Sequence, residues 1–65
     1  MSDVETLKAE IKKLSAQAIK AKMDLHDLSE ELPIGWERVI EVARSTQEAY
    51  AKLHDARERL KALGA

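Results

Sequence analysis

Sixty-five residues allow one small domain and little core. The absence of cysteine excludes disulfides, thiolate zinc sites, iron–sulfur ligation and cysteine nucleophiles together. A net charge of −1 with 35% charged residues argues against a general polyanion binder, which needs a basic excess.

No apolar run approaches the roughly 18 residues of a membrane span, and MSDVETLKAE lacks the basic-then-apolar order of a signal peptide. The expectation is a soluble, cytoplasmic protein. Two glycines and one proline leave little turn material, and the abundance of Ala, Leu, Glu and Lys favours long helices.

The first helix is predicted over about residues 3–31. Ser2 and Glu5 have the spacing of a capping box, in which each side chain satisfies an orphan amide of the first turn. Apolar residues then recur at steps of three and four. Val4, Ile11, Ala18, Leu25 and Leu32 take the a positions of a heptad, and Leu7, Leu14, Ala21 and Leu28 the d positions. Pro33 ends the helix by pushing Leu32 out of helical geometry.

The turn is short, about residues 32–35, so the helices must be antiparallel neighbours. The second helix is predicted over about residues 36–63. Its seam is Val39, Val42, Thr46, Ala49, Leu53, Ala56, Leu60 and Leu63, widened by Trp36, Ala43 and Tyr50. Gly64 fits a C-terminal cap. The Ala18 and Ala21 layer calls for larger residues opposite, with Tyr50 or Leu53 near that level. The fold expected is all-α, a single-domain antiparallel helical hairpin. A bare hairpin leaves much of both seams wet, so two should pack as a homodimeric four-helix bundle.

The stretch AKMDLHDLSEELP is unusual because Asp24, Asp27, Glu30 and Glu31 crowd the end of a helix, where partial negative charge disfavours acids. Glu37 and Glu41 add to this loop end, while Lys8, Lys12, Lys13, Arg57, Arg59 and Lys61 lie at the terminal end, diluted there by Glu5, Glu10, Asp55 and Glu58. Packing two hairpins with loops at opposite ends sets acid beside base. Exposed pairs of this kind contribute about 0–1 kcal/mol each, so they choose orientation more than they stabilise.

Ile19 and Met23 form an apolar pair away from the seam, bordered by Asp24, His26, Asp27 and Glu30, and could dock a partner. The plainer account is two scattered surface hydrophobes. Trp36 is read either as a plug at the loop end or as an interface anchor. His26 with Glu30, and His54 with Glu58, have the i, i+4 spacing of a metal edge. Two ligands make a weak site, and exposed histidines explain the pattern better. Lys8, Lys12, Lys13, Lys20 and Lys22 raise RNA binding, but acids interrupt them and no aromatic stands among them for stacking. There is no nucleophile–base pair or glycine-rich loop, so no enzyme and no cofactor are expected.

The string KMDLHDL at residues 22–28, followed by Leu32-Pro33 and Trp36, resembles a Rop-like, nitrogen-fixation-associated family once described only as a domain of unknown function. The resemblance extends over roughly residues 7 to 63. It implies a hairpin that dimerises into a Rop-like four-helix bundle, encoded among genes for nitrogenase and its cofactor assembly. It implies no molecular activity and therefore no catalytic residue. Its motif falls on Met23, Asp24, His26, Asp27 and Trp36. The expected role is a homodimeric protein-binding adaptor for nitrogenase or cofactor-assembly proteins. Metal handling and Rop-like RNA binding are the alternatives.

Overall fold

The computed structural model describes residues 2–64. Helix α1 spans Asp3–Glu31 and helix α2 spans Val39–Ala62, with one 3-10 turn at Trp36–Arg38 between them. Ser2 is extended and its side chain accepts from the Glu5 amide at 3.2 Å, which caps α1 as the capping box predicts.

Leu32 leaves the helix with φ −53 and ψ 142, the extended geometry demanded before Pro33, and the Leu32–Pro33 peptide is cis. The turn is closed by three backbone bonds. Ile34 N donates to Glu31 O at 3.0 Å, Trp36 N to Pro33 O at 3.3 Å and Arg38 N to Gly35 O at 2.9 Å. That last bond reaches back three residues, so the second helical segment opens as a 3-10 turn. The regular α-helix begins at Val39 rather than at Trp36. Gly35 holds φ 79, and a Cβ there would stand 3.0 Å from Leu28 Cδ1. Both the left-handed backbone and the close approach of Leu28 therefore require glycine.

The two seams meet along most of their length, but Leu32 and Leu63 at their ends are exposed, Leu32 because it leaves the helix before Pro33 and Leu63 because it lies past the last residue of α2. Leu7, Ala18 and Leu28 of α1 and Val42, Leu53 and Ala56 of α2 are buried. The seam residues Val4, Ile11, Leu14 and Leu25, with Val39, Thr46, Ala49 and Leu60, are only half-buried. The residue opposite Ala21 is Thr46, not Tyr50. Its Oγ1 lies 3.2 Å from Ala21 O and 2.9 Å from Val42 O, so its one proton is shared between the facing helix and its own. In the antiparallel register set by this contact, Ala18 faces Ala49. Small residues on both sides let the backbones come close without a large filler. Tyr50 is left 39% exposed, whereas Leu53 is buried.

At the far end the Leu63 amide donates to Arg59 O at 3.2 Å and the Gly64 amide to Lys61 O at 3.0 Å, with Gly64 at φ 76. The result is a rod of 47 × 15 × 12 Å.

Gly35→Ala should lower stability by about 1–2 kcal/mol from backbone strain alone. Thr46→Val should cost about 1 kcal/mol through the lost interhelical bond. Urea unfolding followed by helical circular dichroism checks both, and an unchanged midpoint for Gly35→Ala would mean that the turn does not constrain the hairpin.

Candidate functional site

The acidic stretch forms the last two turns of α1, where the 3.6-residue period spreads it around the helix. His26 stands between two carboxylates, its Nδ1 3.6 Å from Asp27 Oδ1 and its Nε2 3.5 Å from Glu30 Oε1. Lys20 Nζ approaches Asp24 Oδ2 at 3.4 Å. Ser29 Oγ donates to His26 O at 2.7 Å, a bond back along its own helix. No basic residue occupies the last turn of α1, so nothing there offsets the negative helix end.

Ile19 and Met23 stand one turn apart on the outer face, 59% and 52% exposed, and His26 continues the same face. The structure thus brings Ile19, Met23, His26 and Glu30 onto one surface. Asp24 turns to the side, where it lines an open trough with Ala21, Arg38, Glu41 and Ser45. Asp27 and Glu31 share an adjoining trough with Arg38 and Leu28. Trp36 lies past the turn and is 65% exposed, so it does not plug the end of the hairpin. Held in the 3-10 turn, its side chain starts before α2 settles onto α1.

Arg38 is the residue that helical patterning does not single out. The signal was present in composition, because it is the lone base between residues 24 and 41. That segment holds six carboxylates against one arginine, a net of −5, while the other residues carry ten bases against six acids, a net of +4.

The two flanks of the hairpin differ. Along one, α1 presents Asp3, Glu10, Gln17, Asp24 and Glu31, and α2 presents Arg38, Ser45, Lys52 and Arg59. One ion pair crosses it, Arg59 to Glu10 at 3.7 Å, and Arg59 also meets Asp55 at 3.4 Å one turn back along its own helix. Along the other, an open trough is lined by Leu25, Ile40, Ala43, Arg44, Thr46 and Gln47. Ser15 and Ala43 are half-buried on this flank, and Tyr50 follows Ala43 by two turns.

Each trough is an open surface between two helices. Among the described residues no three His, Asp or Glu side chains converge as a metal site requires. In the antiparallel register His26 and His54 stand roughly 20 Å apart along the rod. The lysines of α1 do not form one face. Lys13 and Lys20 lie on the side of the charged flank, and Lys8 and Lys22 on the other.

A profile of the family described as Rop-like matches residues 2–65. A UPF0437 protein of Azorhizobium caulinodans is 60% identical over 65 residues, covering all of this chain and 94% of that protein. A Frankia alni protein, described as a UPF0437 protein in the nifX-nifW intergenic region, is 47% identical over 51 residues. The match covers 78% of this chain and 62% of that protein's length. An NMR structure solved as a structural-genomics target superposes with a TM-score of 0.89 at 52% identity, covering 97% of this chain and 89% of that one.

Replacing Asp24 and Asp27 together by Asn should leave thermal stability unchanged or raised. An acid in the last turn of a helix is disfavoured by about 0.3–1 kcal/mol; that effect fades at Asp27 and more so at Asp24, two turns from the end, and the exposed Lys20–Asp24 pair returns little. A thermal melt of the double variant reads this directly; a clear fall in Tm would make the acids structural.

Proposed function

Because this chain belongs to the Rop-like family, we propose that it is a non-enzymatic accessory protein of nitrogen fixation that works as a homodimeric adaptor. The context is suggested by the relative described as lying in the nifX-nifW intergenic region. The observation that carries the adaptor reading is the shoulder formed by Asp24, His26, Asp27 and Glu30 beside exposed Ile19 and Met23. These residues serve neither the seam nor the end of their helix. Apolar side chains bordered by exposed acids suit a protein surface with basic and apolar groups, such as a nitrogenase or cofactor-assembly component. Trp36, exposed at the loop end, adds an aromatic anchor of the kind interfaces concentrate.

The dimer is a four-helix bundle made of two hairpins with their loops at opposite ends. Its support is the half-buried seam and the division of charge, −5 in the loop segment and +4 in the remainder. Side by side, such rods avoid placing acid end against acid end only when they run oppositely. No described helix is long and apolar enough to cross a membrane.

Affinity capture from nitrogen-fixing cells tests the adaptor. Tagged wild type is compared with the Asp24→Asn, Asp27→Asn double variant, and both are sized in solution. The expected result is a nitrogenase-related protein held by wild type and lost by the variant, with both baits dimeric. Equal capture by the two would remove the shoulder as the binding surface.

A further inference from the structure

We infer that the hairpin self-associates through one flank only, the one carrying Ser15, Leu25, Ile40, Ala43 and Tyr50, and that the occupant of this flank is a second copy of the chain. The inference rests on the homodimer reading and specifies its surface.

The area comes first. The chain exposes 5177 Å². A compact monomer of 7.3 kDa exposes about 4,200 Å². The radius of gyration is 14.8 Å, against about 11 Å for a compact chain of this length. The excess surface is about 1,000 Å², somewhat more than the roughly 800 Å² each partner buries in a standard interface.

The flanks decide which face is used. The charged flank is already engaged within the chain through Glu10 and Arg59, and it sets Asp24, Asp27 and Glu31 around Arg38. Docking a copy there would desolvate these charges, which returns little even when they are paired. The other flank has serine, alanine and tyrosine at its middle, and the half-buried Ile11 and Leu25 open onto it. Ile40 is 68% exposed beside Leu25 in the same trough. Small Ser15 and Ala43 let a neighbouring helix approach closely.

The charge on this flank also fits a copy running in the opposite direction. Its rows contain Lys8, Lys22 and Arg57 and no carboxylate. Lys8 and Arg57 lie toward the terminal end. A head-to-tail neighbour brings its loop end, with a net charge of −5, beside them. A neighbour aligned the same way would bring its own Lys8 and Arg57.

The test is sedimentation equilibrium of wild type and four variants, with circular dichroism as a check on helicity. Ala43→Glu and Tyr50→Ser alter the proposed interface; Gln17→Glu and Ser45→Glu alter the opposite flank. Tyr50 is exposed enough that its loss spares the hairpin core. The expected result is a dimeric wild type, a dissociation constant raised roughly tenfold or more by Ala43→Glu and severalfold by Tyr50→Ser, and near-unchanged association for the other pair. A dimer weakened only by Gln17→Glu and Ser45→Glu, or by none of the four, would overturn the flank assignment and leave the dimer standing. A wild type that stays monomeric at millimolar concentration would overturn the dimer and the flank together.

Discussion

Each helix of this hairpin carries an apolar stripe wider than a single neighbouring helix can cover. The rest of the structure follows from that mismatch. Where α1 and α2 touch, Leu7, Ala18, Leu28, Val42, Leu53 and Ala56 leave water. On either side of that line the stripe continues, and its residues stay half wet. Two helices form a single layer, whereas a stable domain needs at least two packed layers. The chain deals with its two edges differently. One is lined with charge and tied by side chains that cross between helices. The other has Ser15, Ala43 and Tyr50 at its middle, with basic residues and no carboxylate along its rows.

That asymmetry organises the charge as well. Acids on α1 face bases on α2 along the charged edge, and Glu10 with Arg59 closes an ion pair across it. The acids beyond them, around His26 and Glu30, point outward on the back of α1. One edge of the hairpin thus carries a cross-helix ion pair, the other carries small and aromatic side chains, and the outer face near the turn carries the acidic shoulder. A rod only 15 Å across can separate these surfaces because each helix offers several independent rows of side chains.

Much of this was legible in the residues. The alternation of three and four steps from Val4 to Leu32 left no choice but a helix with one buried seam, and Ser2, Pro33, Gly35 and Gly64 marked the helix ends and the turn. The shoulder at Asp24 and His26 stood out because it obeyed neither the seam nor the helix dipole. What sequence missed depends on register and on geometry across the chain. Thr46 sits on the seam as a polar residue, and only the facing Ala21 carbonyl explains how its hydroxyl is satisfied. Trp36 reads either as a plug or as an anchor in sequence, and only its exposed place in the 3-10 turn rules out the plug. Arg38 gains meaning only when Asp24, Asp27, Glu31 and Glu41 are folded around it. The difference between the flanks is invisible in a one-dimensional heptad, which treats both sides of the stripe alike.

The uneven division of charge along the rod bears on how the protein meets other molecules before it touches them. A loop segment at −5 and a remainder at +4, spread over 47 Å, give a single hairpin a large dipole moment. Its approach to a charged surface is oriented, and the rate of encounter falls as salt shortens the reach of the field. Two hairpins paired head to tail cancel that moment. They become a particle with negative poles at both ends and a positive waist. Such a particle presents the same pole from either direction, so an incoming basic partner has no wrong end to approach.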